Sequence, residues 1–326
     1  MQRSTGSTGL FRMVEPVAVV ALVVDSVIGW PAWLYARIGH PVGGFAQWIG
    51  WADTRWNGPA GSAARRRAAG VLVVVLMVAV TIGLCMAATA LARAAFGDAA
   101  WIAIGVMAAP GLALRSLYDH VVPVARALEI GDLGAARAAV GRIVGRDVAA
   151  LDEAGVARAA VESLAESLCD GVVAPLFWLL VAGLPGLWAY KAVNTADSLI
   201  GHREERWRAF GWAAARTDDV ANLVPARISG VLLCLVGAGA GGWRTMWRDA
   251  GNHASPNAGW PEAAMAGALN LKLAGPIAYD GVTVAKPYIG DGRADVTATD
   301  LRAALGLYRR ACVCLLIIAG GVAWVL

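Results

Sequence analysis

Glu162, Glu166 and Asp170 stand at i, i+4 and i+8 in the stretch ESLAESLCDG, and a helix over these residues places all three on one face. Carboxylates in such a row repel one another unless a cation sits among them. The row is therefore either a solvated face or a site for a metal or a cationic ligand. Asn194 and Asp197 follow at i and i+3 in NTADSLIGHRE, which turns at Gly201 and continues into His202, Arg203 and Glu204. ARTDDVAN sets Asp218 and Asn222 at i and i+4 beside Arg216, with Arg227 a few residues on. Oxygen ligands of these types suit Mg2+, which usually arrives with phosphates, and guanidinium groups suit phosphate or carboxylate oxygens. Taken singly, each residue fits a salt-bridged pair of amphipathic helices; the set points to a site. A fourth polar stretch, NHASPNAGWPEAAMAGALN, carries His253 and Asn257 before a helix start at Pro261 with Glu262 in the first turn. Free N–H groups at such a start can receive an anion.

Other chemistries find less support. His40, His120, His202 and His253 all lie in polar stretches, but no two show i, i+4 spacing, which argues against a histidine zinc site. The five cysteines include no C-x-x-C pair and four fall in apolar segments, against disulfides and zinc alike; Cys169 reads as a buried, inert thiol. There is no G-x-x-x-x-G-K-[ST], so a P-loop is excluded. DGVVAP opens like the signature of membrane CDP-alcohol phosphotransferases, but the A-R and the spaced aspartates do not follow.

The elements that must position these groups are apolar. Of 326 residues 58% are hydrophobic and only 16% charged, mean hydropathy is +0.57 and tryptophans number 14, which favours an integral membrane protein with aromatic residues at the boundaries. The net charge of +4 is dispersed, with no basic stretch interleaved with stacking aromatics, against nucleic-acid binding. Apolar spans are expected at about 14–36 (a retained anchor containing Asp25), 70–92 and 99–114. The runs 171–190 and 228–242 read as broken or re-entrant, and a final run covers 311–326. Arg65, Arg66 and Arg67 precede the second span, so the 37–69 loop is expected on the cytoplasmic side. The arginines of 115–170, Arg146 among them, agree with that side. Helix starts are expected at Asp132, Asp152 and the capping-box-like TATD of 297–300, and Gly/Pro turns around Lys286 fill 275–292. The fold class that follows is an all-α, polytopic membrane protein forming one domain over 1–326. It has an N-terminal tail at 1–13, cytoplasmic helical motif regions at 115–170 and 191–227, and a cytoplasmic loop region at 243–310.

Several motifs together resemble a known family. DSVIGWP…GHPVGG, RSLYDHV, VESLAESLCDGVVAPLF, YKAVNTADSLIGHR, FGWAAARTDDVANLVPARI and HASPNAGWPEAAMAGAL, in this order from about residue 20 to the C-terminus, look like the adenosylcobinamide-phosphate synthase family, the membrane amide synthases of cobalamin biosynthesis. Two motifs depart: Ser167 stands in Glu166-Ser167-Leu168-Cys169-Asp170-Gly171 where the family usually has asparagine, and Trp30 stands in Gly29-Trp30-Pro31 where it often has aspartate. The resemblance implies a ligase in the cytoplasmic membrane, active site toward the cytoplasm, joining a propionate carboxylate of adenosylcobyric acid to aminopropanol or its phosphate. It implies ATP, with Mg2+ expected beside it, and leaves room for homo-oligomers or contacts with other corrin-pathway enzymes. On an acyl-phosphate route, Glu162, Glu166, Asp170, Asp197 and Asp218 are the candidates for metal or amine binding, and Glu166, Asp170, His202 and His253 for catalysis. Asn194, Arg203, Arg216, Arg227 and Asn257 are the candidates for holding phosphate or corrin carboxylates. Two other classes fit parts of the chain: a transporter with broken helices, and a non-catalytic membrane scaffold.

Overall fold

A computed structural model describes residues 8–59, 61–145, 147–275, 277–279, 282–284 and 287–325. Arg3, Arg146 and Lys286 lie outside them. In chain order the helices are α1 (Thr8–Val27), α2 (Ala32–Ile38), α3 (Pro41–Trp56), α4 (Ala63–Phe96), α5 (Ala100–Ala108), α6 (Leu114–Glu129), α7 (Leu133–Val140), α8 (Glu153–Leu168), α9 (Ala174–Ile200), α10 (Glu205–Arg208), α11 (Trp212–Ala221), α12 (Leu223–Val236), α13 (Gly241–Asp249), α14 (Gly259–Leu269) and α15 (Ala298–Val325). A π-turn, Cys169–Val173, separates α8 from α9. Four strands of two or three residues, β1 (Leu273–Ala274), β2 (Ile277–Tyr279), β3 (Val282–Val284) and β4 (Tyr288–Ile289), pair antiparallel as β1–β4 and β2–β3 where only turns were expected. By length and composition three stretches can cross a membrane, Ala63–Glu129, Glu153–Ile200 and Ala298–Gly321; two bent helix pairs raise the number to five among the described residues.

The chain divides into two compact units. The first comprises residues 1–113, 174–221 and 316–326. Its core gathers Ile49 and Ala52 of α3, Val73, Val74 and Met77 of α4, Ala192, Val193, Ala196 and Ile200 of α9, and Phe210, Ala213 and Ala214. α3 occupies what reads as a polar loop in the sequence. Its Phe45, Trp48, Ile49 and Ala52 repeat at helical spacing, His40 Nδ1 accepts the Val42 N–H at 3.3 Å, and Pro41 supplies the preset first turn. α4 runs past both ends of the expected span, started by Ser62 Oγ accepting the Arg65 N–H. α5 has nine residues, short of the ~20 a lone crossing needs, because Pro110 and Gly111 end it. Within α9, Ala182 (φ −134°) and Gly183 (φ +64°) leave helical conformation ahead of Pro185, a kink within one long helix.

The second unit comprises residues 114–173 and 222–315. Asp132 accepts the Ala135 N–H at 2.8 Å and Asp152 the Gly155 N–H at 2.7 Å, so α7 and α8 begin as their sequences predict. At α15 the Thr297 and Asp300 side chains accept each other's backbone N–H, a capping box. The interior is made largely of small residues: Ala157, Ala159, Ala160 and Ala165 of α8 and Ala263, Ala264 and Ala266 of α14 are fully buried. Tyr308 anchors α15 by donating its hydroxyl to the Leu114 carbonyl at 2.7 Å.

Close packing in the first unit has a direct mutational consequence. A Cβ on Gly70 would collide with the Phe210 carbonyl, whereas a Cβ on Gly83 meets nothing within 4 Å. Gly70→Ala is expected to cost about 1–3 kcal/mol by overpacking, and Gly83→Ala to be neutral or stabilising by up to about 1 kcal/mol. Thermal midpoints of the two purified variants check this.

Candidate functional site

In the second unit, α8, the turn before α14, and the β1 and β4 region line a half-open cavity of about 280 Å3. Glu162, Ser163 and Glu166 line it from α8, Asn252, His253 and Ala254 from the turn, and Glu262 from α14. Among the described residues no lysine or arginine lines it. Glu162 Oε1 accepts the Ala274 N–H at 2.8 Å, which fixes that carboxylate against β1, and Ser163 donates to the Ile143 carbonyl at 2.8 Å. Glu166, one turn further along, is exposed.

Glu262 is the buried member, 4% exposed in the first turn of α14, where the positive end of the helix favours a carboxylate. His253 faces it, with Nε2 at 3.7 Å from Oε2. The preceding turn orients the imidazole: the Ser255 N–H donates to His253 Nδ1 at 3.0 Å, and Ser255 Oγ accepts from the N–H groups of Asn257 and Ala258. With Nδ1 accepting, a neutral ring carries its proton on Nε2. As placed, His253 is therefore a hydrogen-bond donor toward the cavity, and the proton-accepting groups there are carboxylates. Glu262 entered the sequence reading only as a first-turn acid; its pairing with a residue nine positions earlier depends on the tight turn between them, which composition does not reveal.

Asp170 does not line the cavity. It falls in the π-turn, where i→i+5 bonding adds a residue to the turn and ends the i, i+4, i+8 row at Glu166. Arg227 and Asn257 do meet: Nη1 of Arg227 donates to Asn257 Oδ1 at 3.1 Å and to the Leu223 carbonyl, and its guanidinium lies 4.5 Å from the Trp260 ring centroid. Arg248 forks onto both oxygens of Asp249 at 2.7 Å and reaches Asp291, while Asp249 also accepts the Gly290 N–H. This clamp, not anticipated from the sequence, ties α13 to the residues after β4.

The remaining candidates belong to the first unit. Asn194 donates to Asp218 Oδ1 at 3.3 Å and accepts from Lys191 Nζ at 3.1 Å, a buried polar chain joining α9 and α11. Asp197 is half-buried one turn after Asn194, at the end of α9. His202 and Arg203 are exposed, the His202 ring lying 5.7 Å from that of Trp207. Arg216 pairs with Asp219 at 3.0 Å on the surface, where such a bridge contributes little.

Mg2+ usually takes one or two carboxylates together with waters and substrate phosphates. Glu162 and Glu166, adjacent along α8 and opening on one cavity, fit that small set. Among the described residues no three His, Cys, Asp or Glu side chains converge as in a dedicated metal cage. The cavity's acidic lining suits a cation directly, and phosphates only through one.

These features define a class: a mainly helical chain with membrane-length apolar stretches and an acidic, histidine-bearing cavity in a helical unit. The family model described as CobD/Cbib protein matches residues 18–308, and the chain belongs to that family. It is 48% identical over 309 residues to a protein named cobalamin biosynthesis protein CobD from Rhodobacter capsulatus, covering 94% of this chain and 96% of that one. Proteins of the same name from a Sinorhizobium species (47% over 304 residues, 91% and 94% covered) and from Brucella anthropi (45% over 299 residues, 89% and 90%) are similarly close. No solved structure matches the chain.

The Arg248–Asp249 clamp sets a pH dependence. Its hydrogen bonds hold the Asp249 carboxyl below the usual carboxylate range. A depressed carboxyl stabilises the fold fully above the unfolded value of about 4, and that contribution disappears as pH falls through the lowered value. The thermal midpoint of Asp249→Asn is therefore expected below wild type at pH 7, with the gap narrowing once pH drops under about 4. Thermal melts at several pH values measure it.

Proposed function

We propose that this chain acts in cobalamin biosynthesis as a membrane amide synthase, joining a propionate carboxylate of adenosylcobyric acid to aminopropanol or its phosphate. Family membership and the names of its relatives support the pathway. The observation that carries the chemistry is the cavity shared by Glu162, Glu166, Glu262 and His253.

A carboxylate does not condense with an amine in water unless it is first activated, and ATP supplies that activation as an acyl phosphate. The rest of the work falls to the chain. This acidic cavity, with no arginine or lysine among the described lining residues, binds the ammonium end of the amine substrate, or Mg2+, at Glu162 and Glu166. The bound ammonium first gives a proton to Glu166, the exposed carboxylate placed to take it; as the freed amine attacks the acyl carbon, the bond to phosphate breaks and the nitrogen's second proton leaves with the departing phosphate. His253 offers Nε2–H to the oxygen that gains charge. Arg227, steadied by Asn257 and Trp260, is a cation suited to a corrin carboxylate or a phosphate.

Purified protein incubated with adenosylcobyric acid, ATP, Mg2+ and aminopropanol phosphate is expected to yield a new amide by mass spectrometry. Glu166→Ala and Glu162→Ala are each expected to lower its rate by at least about a hundredfold with membrane yield unchanged. Full activity in both variants places the site elsewhere. Solute flux into liposomes without amide formation identifies a transporter instead.

A further inference from the structure

A second cavity, of about 480 Å3, lies in the first unit at the start of α4. It is lined by Arg55 and Trp56 of α3, Gly58 and Gly61 of the connecting loop, and Arg65, Ala69 and Leu72. Its two guanidinium groups come from different helices, and among the described residues neither forms a hydrogen bond or ion pair. Arg66, outside the cavity lining, has a buried Nε without a partner among the described residues. Arg65, Arg66 and Arg67 occupy the first turns of α4, beside the positive end of the helix dipole. Cations there are unfavourable unless an anion joins them.

From this cavity an apolar track runs along α4, the longest helix of the described residues. Leu72, Leu76, Val80 and Leu84 follow at four-residue intervals on one face, 40–67% exposed. Twelve residues of helix rise roughly 18 Å, about the reach of an acyl chain. Trp51 and Trp56 pack edge to face at 5.1 Å beside the cavity, the placement aromatic residues take at headgroup level. A soluble phosphate would account for the arginines but not for the track; plain hydrocarbon would account for the track but not for the unpaired cations.

We propose that this cavity is a binding site for one anionic phospholipid, with its headgroup phosphate on Arg55 and Arg65 and an acyl chain laid along Leu72, Leu76, Val80 and Leu84. Full-length protein is reconstituted in bilayers of equal phosphatidylcholine and phosphatidylglycerol, released into mild detergent, and the retained lipid counted by native mass spectrometry. Wild type and Arg37→Gln, a charge loss outside the cavity, are expected to keep one phosphatidylglycerol. The Arg55→Gln, Arg65→Gln pair is expected to keep at least about tenfold less. Leu76→Asn, which leaves both arginines in place, is expected to weaken retention as well. Helicity by circular dichroism confirms that each variant is folded. Equal retention of the two lipids, undiminished retention in the double variant, or displacement of phosphatidylglycerol by inorganic phosphate or ATP overturns the proposal, the last by showing a soluble phosphate site.

Discussion

A carboxylate removed from water must find partners or lose its charge, and in the second unit that requirement falls on Glu262. The residue sits at the first turn of α14, where the helix dipole offsets part of the burial cost. The turn before it is bonded to itself through Ser255, and the imidazole of His253 is thereby brought round to face the acid. Glu162 is fixed just as definitely, by a backbone N–H of β1. Two short pieces of backbone, the 253–258 turn and the β1–β4 pair, thus convert a helix face into one wall of a half-open acidic pocket. Helices supply the side chains; the loops decide what those side chains meet.

The first unit solves a related problem differently. Asn194 and Asp218 are buried on neighbouring helices, and Lys191 completes a run of ammonium, amide and carboxylate. An amide that donates at one end and accepts at the other links the ammonium and the carboxylate in one hydrogen-bonded run. Gly211 and Gly70 let α11 and α4 come close to this region, since a side chain at either would strike backbone.

What was legible in the sequence is what local chemistry decides. Asp132, Asp152 and Thr297 bond N–H groups three residues away, so their helix starts could be read directly. The four long polar motifs were legible as a set, and the family match over 18–308 agrees with the resemblance they carry. Features set by packing were not legible. α3 was read as loop because its polar residues masked the Phe45–Ala52 repeat. The π-turn at 169–173 leaves no compositional trace, so Asp170 was assigned to a row that ends at Glu166. The clamp of Arg248 on Asp249 and Asp291 spans more than forty residues, beyond any pattern of spacing.

The run of fully buried alanines in α8 and α14 has one more consequence. Methyl groups surrender almost no rotamer freedom on burial and allow backbones to approach closely, so cohesion there comes from dispersion between main chains. Such an interior has little to lose by truncation. It is vulnerable to swelling: each added methylene must push two helices apart, and the acidic cavity they wall is the first thing to change shape. Harmful natural variation in these helices should therefore run from small to large, opposite in direction to the familiar damage of a leucine-rich core.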